Sequence, residues 1–205
     1  VNYFLLTFTI PKELRSLFLS NKKICYNLLF KAVSRTLLSS VENNNKSMKG
    51  KTGFFAVLHT HDQRLNFHPH LHVVVPGGCL SPEKTKWNPS YSSYFLPVKK
   101  VSSQFKKKLL FYLRKAKNDN ALVIPKNIEN INDVLYLLSK EKWVVHSKAP
   151  GAVKTKPQCL LRYLARYVNR AAVHEERIKK TENGNVFLSY FDRKRKIRAK
   201  QMDIS

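Results

Sequence analysis

The stretch "FHPHLHVVVPGG", residues 67 to 78, sets His68, His70 and His72 at every second position. Side chains alternate between the faces of a strand, so the three imidazoles share one side while Leu71, Val73 and Val75 share the other. Neutral imidazoles held side by side on a rigid strand make a preformed site for a divalent metal ion. Such a pair suits Mn, Co, Ni or Zn better than Mg, which prefers oxygen. His70 and His72 are the core ligands of this reading. The candidates for a third are His68 itself, His59 on the preceding strand and Gln63 in the connecting turn. His59 and His61 share a face as well, and one of those two is expected to be structural. A bare H-x-H selects loosely, but three in alternation before a Pro-Gly-Gly turn narrow the choice.

A second constellation lies in "CLLRYLARYVNRAAV". Leu160, Leu161, Leu164 and Val168 form an apolar helical stripe, and Tyr163 and Tyr167, four apart, stack one turn above the other. At about 100° per residue the tyrosines fall at the edge of that stripe, able to face a cleft. Arg166 and Arg170 beside them can hold phosphate oxygens. Together these parts describe a reaction. A metal on His70 and His72 polarises a scissile phosphate, and a tyrosine oxygen attacks phosphorus, leaving a covalent phosphotyrosine and a free 3′ hydroxyl. A second tyrosine allows another strand transfer without release of the first end.

Composition agrees with a polyanionic partner. The 205 residues carry 38 Lys plus Arg against 13 acidic residues, a net charge of +25. The excess is +10 over the first hundred residues and +15 over the rest, so it belongs to the domain rather than to a tail. Nucleic acid is the commonest partner of such a field. Cys25, Cys79 and Cys159 are widely spaced and form no C-x-x-C pair, which argues against a disulfide framework or a cysteine zinc site and for a reducing compartment. The longest apolar runs are far too short to span a bilayer. The opening Val1 and the basic final segment "RKRKIRAKQMDIS" lead us to expect a single catalytic domain, residues 1–205, cut from a longer protein.

The elements that must position these residues alternate in type. Strands are expected at 2–11, 54–61 and through the histidine segment, with a short fourth strand at 93–100 and a fifth at "KWVVHSKAP". Helices are expected from Pro11 onward, through Ile24, Leu28, Leu29, Ala32, Val33 and Leu37, over 101–116, over "INDVLYLLSK" and over 156–173. Residues 41–53 are polar and turn-rich, a loop. Asn183-Gly184 between alternating runs signals a hairpin. The pattern is α+β: an antiparallel sheet covered by helices.

On "FHPHLHVVVPGG" and "YLARY", with support from "LTFTIPKELRSLF", "LHTHDQRLNFHPHLHVVVPGGCLS", "YFLPVKKVSSQFKKKLL" and "WVVHSKAP", the chain resembles the rolling-circle HUH transposases of the insertion-sequence-91 group, which carry two active-site tyrosines. His70-Leu71-His72 is the His-hydrophobic-His motif, and the order, histidines first and tyrosine helix later, also matches. The resemblance implies an HUH endonuclease-like fold and cleavage and rejoining of one DNA strand through a 5′-phosphotyrosine on Tyr163 or Tyr167. It further implies a divalent cofactor, Mg²⁺ or Mn²⁺, single-stranded DNA at element ends and target as partner, and a place in the cytoplasm, associated with the nucleoid. Related nucleases often take the third metal ligand a few residues upstream of the pair, which favours Gln63. His61 stands where the family has an aromatic and Cys79 where it has glycine, so neither inherits a role. Two other classes compete: a non-catalytic basic nucleic-acid-binding domain, and a zinc hydrolase on His68, His70 and His72 with Asp62 the only nearby acid.

Overall fold

The structure is a computed structural model that describes residues 1–43, 48–62, 64–90, 95–148, 177–182, 185–192 and 197–204. Its centre is a four-stranded antiparallel sheet in which β2 (Phe55–His61), β3 (Phe67–Pro76), β1 (Tyr3–Thr9) and β6 (Val145–Lys148) lie side by side in that order. Strand β1 (Tyr3–Thr9) alternates strictly, with Phe4, Leu6 and Phe8 buried between half-exposed neighbours. It pairs with β3 (Phe67–Pro76) in a register that runs from Tyr3↔Pro76 to Thr9↔His70. On its other side Phe8 and Thr7 face Val145 and His146 of β6 (Val145–Lys148). Strand β2 (Phe55–His61) borders β3, with His59 opposite His70. One face of this sheet is therefore Phe4, Leu6, Phe8, Leu71, Val73 and Val75, and it forms the core. The opposite face carries Thr7, Thr9, His59, His70 and His72.

Helices cover the apolar face because their own apolar stripes match it. Pro11, at φ −59°, leads into a 3-10 turn (Lys12–Leu14) and then α1 (Arg15–Ser20) and α2 (Lys22–Glu42). Helix α3 (Val98–Asn118) buries Val101, Phe105, Leu109 and Leu113, each four residues from the last. Phe105 meets Phe8 edge-on at 5.1 Å and Trp143 at 5.6 Å, joining α3 to β1 and to the approach to β6. The hydroxyl of Ser102 donates to the Trp143 carbonyl at the same seam. Helix α4 (Ile131–Lys140) starts where expected, its first turn capped by Asn130, whose side chain accepts from Asn132 N at 2.9 Å. Cys25 and Cys79 are buried free thiols, and burial pushes Cys25 up to about 12.

Three expectations shift. The described part of 93–100 is not a strand: Phe95 and Leu96 are buried anchors, and Pro97 caps α3, which starts at Val98. Phe95 packs on Phe4 with ring centroids 5.7 Å apart, so its apolar character reflects the core rather than a sheet position. A small hairpin, β4 (Gly78–Leu80) with β5 (Trp87–Pro89), follows β3 instead. Gly78 has φ +151°, and a Cβ there would lie 2.7 Å from the Trp87 ring, so only glycine allows the hairpin to close. The expected hairpin near the C-terminal end is present as β7 (Ile178–Glu182) and β8 (Asn185–Asp192), joined by an unexpected third strand, β9 (Ile197–Ile204). Among the described residues no helix is long and apolar enough to cross a membrane.

Candidate metal centre

The register of three strands decides which histidines meet. His70 and His72 lie on the polar face of β3, and β2 delivers His59 directly opposite His70. Ring centroids are 4.9 Å apart for His70 and His72, 4.6 Å for His59 and His72, and 5.3 Å for His59 and His70. One ring nitrogen from each falls within 4.8 Å of the others. Three nitrogens at about 2.1 Å from one zinc-sized ion stand roughly 3–3.5 Å apart, so small side-chain rotations close the group onto an ion.

The hydrogen bonds around the rings prepare them for that role. His70 Nδ1 lies 2.7 Å from the His68 carbonyl oxygen, which can only accept. The Nδ1 of His70 therefore carries the proton, and its Nε2 keeps a lone pair. His72 Nδ1 lies 3.2 Å from Thr7 Oγ1, a hydroxyl that holds the ring in place through Nδ1. Such outer hydrogen bonds orient metal-binding imidazoles and raise their basicity. Burial drives the pKa of His70 down to about 4; the His59 and His68 rings push the same way, against the His68 carbonyl and Asp62. At neutral pH His70 is thus uncharged and able to donate an electron pair. An uncharged His70 with its Nδ1 proton fixed, and the close spacing of the three rings, fit a divalent ion that accepts nitrogen ligands.

His68 is turned to a different task. Its Nδ1 is 2.6 Å from Arg15 Nη2, and a guanidinium can only donate, so that lone pair is already used. Burial, and next the Arg15 charge, lower its pKa. His61 is exposed, displaced by a register shift between His59 and His61, and its ring meets Phe67. It is the odd member of the His59–His61 pair. Asp62 closes the turn beyond it: Oδ1 accepts from Arg64 N at 2.8 Å and Asn66 N at 3.0 Å, and Oδ2 from Asn66 Nδ2 at 3.1 Å. Gln63, Tyr163, Arg166, Tyr167 and Arg170 lie outside the described residues.

Thr7 and Arg15 escaped the sequence reading. Thr7 sits at an even offset from Thr9 on a strand that was recognised, but only the pairing of β1 with β3 shows that it faces His72. Thr7→Val keeps the shape and removes the oxygen. We expect it to weaken Mn²⁺ or Co²⁺ binding about tenfold or more, as loss of an outer hydrogen bond does, with the melting temperature of the metal-free protein little changed. Calorimetric titration of both proteins checks this, and equal affinities would remove Thr7 from the centre.

Residues 53–205 match the family Y2_Tnp, described as "Putative transposase". The chain belongs to this transposase family. One relative, "Putative transposase y4qJ" of Sinorhizobium fredii (strain NBRC 101917 / NGR234), is 36% identical over 209 residues, covering 99% of this chain and 52% of its own. The "Transposase for insertion sequence element IS801" of Pseudomonas savastanoi pv. phaseolicola is 34% identical over 82 residues, 40% of this chain and 18% of its own. The transposase chain thus spans about half the length of the first relative and less of the second, and the insertion-sequence-91 resemblance of its motifs holds. Among solved structures it is similar to "Conjugative Relaxase Trwc In Complex With Orit DNA. Metal-Bound Structure", at TM-score 0.43 and 18% identity, over 56% of this chain and 43% of that one. A second, "Conjugative Relaxase TrwC in complex with mutant OriT Dna", has TM-score 0.40 and 16% identity over 86% and 66%.

Proposed function

We propose that this chain is the catalytic domain of a DNA transposase that cuts one DNA strand and rejoins it elsewhere through a covalent 5′-phosphotyrosine. The observation that carries the reading is the close group His59, His70 and His72, with Nδ1 of His70 donating to the His68 carbonyl and Nδ1 of His72 beside Thr7 Oγ1, in a member of a transposase family. A divalent ion bound there supplies Lewis-acid polarisation of a scissile phosphate. His70 and His72 bind it; Gln63, favoured by the family resemblance, and His59, favoured by geometry, are the two candidates for the third position. Tyr163 or Tyr167 provides the nucleophile: its Oη forms a bond to phosphorus, the bond from phosphorus to the 3′ oxygen breaks, the phenolic proton leaves and the 3′ oxygen gains one. Arg166 and Arg170 hold the phosphate oxygens beside the phenol. The reverse attack by a 3′ hydroxyl restores the diester and frees the tyrosine, so the step suits transfer between element ends and target.

The zinc-hydrolase alternative loses ground here. It needs His68 as a ligand and a free carboxylate base, but His68 accepts from Arg15 and Asp62 is tied up in its own turn. A non-catalytic nucleic-acid domain explains the charge and leaves the prepared histidines without a use. The deciding experiment incubates the protein with labelled single-stranded oligonucleotides and Mn²⁺ and runs a denaturing gel. A label that migrates with the protein supports the tyrosine mechanism; cleavage without any adduct, or no cleavage with any strand, overturns it.

Binding should be strongly salt-dependent. Each phosphate neutralised on a single strand contributes about 0.7 to the slope of log affinity against log salt, so a footprint of about six contacts predicts a loss of roughly a hundredfold or more between about 50 and 200 mM salt. Anisotropy titrations measure this directly. A flat response would mean that the +25 charge is not what holds DNA.

A further inference from the structure

Trp87 opens β5 and is 39% exposed, an open position for the largest apolar side chain. The ring is nevertheless held. A Cβ built on Gly78 would lie 2.7 Å from both Cε2 and Nε1 of the indole. A ring meeting the glycine edge-on would bring its outer carbons nearer than the fusion atom Cε2, so one flat side of the indole rests on the Gly78 backbone. The exposed area belongs to the other side.

Strand pairing sets what surrounds it. Leu80 lies opposite Trp87 on one flank and opposite Lys51 on the other, with backbone hydrogen bonds of 2.8 Å running both ways between Leu80 and Lys51. Directly opposed residues project from the same face, so Lys51, Leu80 and Trp87 form one row, about 10 Å from end to end at the usual strand spacing. Cys79 belongs to the same core cluster as Val73 and Val75. The alternation of β3 thus carries through Gly78, and the row points away from the core, as His70 and His72 do. The turn beyond is fixed by buried Ser81, whose hydroxyl accepts from Thr85 N at 3.2 Å and Lys86 N at 3.4 Å. Asn88 Nδ2 donates to the Lys49 carbonyl at 3.2 Å, tying that segment to β5. Lys49, Lys51, Lys84 and Lys86 are all exposed on these segments, and among the described residues none of them pairs with a carboxylate. Glu83 is the one acid within 48–53 and 77–90.

We propose that the β4–β5 hairpin is a second seat for the DNA strand: an unpaired base stacks on the open side of Trp87, and the lysines beside it, Lys51 first, hold the flanking phosphates. This rests on the reading of the chain as a single-strand DNA enzyme. An aromatic ring bordered by cations suits a single strand, because stacking accepts any base and the charge tracks the backbone. A duplex hides the faces of its bases, so the seat selects unpaired DNA. Gly78 follows His72 by six positions, at most about 20 Å of strand. A base on Trp87 therefore lies several nucleotides from a phosphate at the histidine group, and the two points together set the strand's path along the sheet.

The test titrates the protein in EDTA with an oligothymidine strand, reading tryptophan emission with the bare strand and anisotropy with a labelled one. Trp143, the other tryptophan, is buried, so a stacked base should quench Trp87 alone. Emission should fall as the strand saturates, and the emission left in Trp87→Phe should not change. Trp87→Leu, which still covers Gly78, should bind about tenfold more weakly, the worth of one stacked base, while Trp87→Phe stays within about threefold of wild type. The salt slope should be the same in Trp87→Leu, whereas Lys51→Gln should keep the quench and lower the slope by about 0.7, one phosphate contact. A duplex of the same length should bind wild type and Trp87→Leu equally. Strand binding with no change in wild-type emission overturns the seat, whether or not the variants fold. So does wild-type affinity in a Trp87→Leu protein that melts like wild type, or an equal loss on duplex and single strand. Quenching by vesicles of anionic lipid but not by the strand would make this a membrane contact instead. If wild type binds no strand at all, the DNA reading itself fails, and the seat with it.

Discussion

Replacing His72 with alanine should abolish strand cleavage, a loss of at least a thousandfold, while single-strand affinity measured without metal falls by less than about threefold. The size follows from what the ring does. It is one of only three imidazoles close enough to share an ion among the described residues, and removing one ligand forfeits the ion's electrostatic contribution to the transition state, typically several kcal/mol. Affinity survives because strand binding draws on dispersed Lys and Arg charge. His70→Ala should behave alike, whereas His146→Ala, on an exposed edge position outside the group, should keep near-normal cleavage. His59→Ala and Gln63→Ala, tested in parallel, separate the two candidates for the third ligand: the true ligand's variant should lose Mn²⁺ affinity as well as rate. Single-turnover cleavage with trapped adducts quantified against time gives the measurement. A His72→Ala protein that cuts at the wild-type rate would end the metal-centre assignment.

The second large effect concerns the nucleophile. The double variant Tyr163→Phe, Tyr167→Phe should form no covalent protein–DNA adduct, and each single variant should lose complete strand transfer. Phenylalanine removes the oxygen that attacks phosphorus and keeps the ring, so loss of the adduct reports chemistry rather than packing. An ordinary phenol, with a pKa about 10, is almost wholly protonated at neutral pH. Its attack therefore depends on cationic neighbours and on the polarised phosphate, and the adduct should vanish in His72→Ala for the same reason. Peptide mapping of trapped adducts should find DNA on residue 163, residue 167 or both. An adduct that persists in the double variant, or that maps to Tyr190 on β8, defeats this assignment.

Much of this was legible from spacing alone. Alternation in β3 announced which side chains share a face, β1 could be read as a strand from its β-branched and aromatic composition, and "INDVLYLLSK" could be read as a short helix. What spacing cannot reveal is register between distant strands. His59 was one of three candidates for the metal, and only the β2–β3 pairing, with its shift before His61, separates it from its neighbour. Thr7 was invisible for the same reason, since nothing local marks a threonine as the hydrogen-bond partner of a ring 65 residues away. His68 shares the alternation of its two neighbours, yet the first residue of α1 claims its lone pair. Residues 93–100 misled because Phe95 and Leu96 have strand-like composition while serving as core anchors ahead of a proline-capped helix.

The position of β1 between β3 and β6 has a consequence for how the molecule is made. This strand leaves the ribosome well before its partner residues, His72 for Thr7 on one side and His146 on the other. Contacts closed over such long loops form slowly, because the chain entropy is lost before the pairing energy is gained. A nascent chain therefore carries Phe4, Leu6 and Phe8 uncovered until those partners emerge, a stretch that invites chaperone binding or misassociation. The same delay makes maturation nearly all-or-none. His59 meets His70, and Thr7 meets His72, only once the sheet closes, so partly folded chains lack the assembled histidine group.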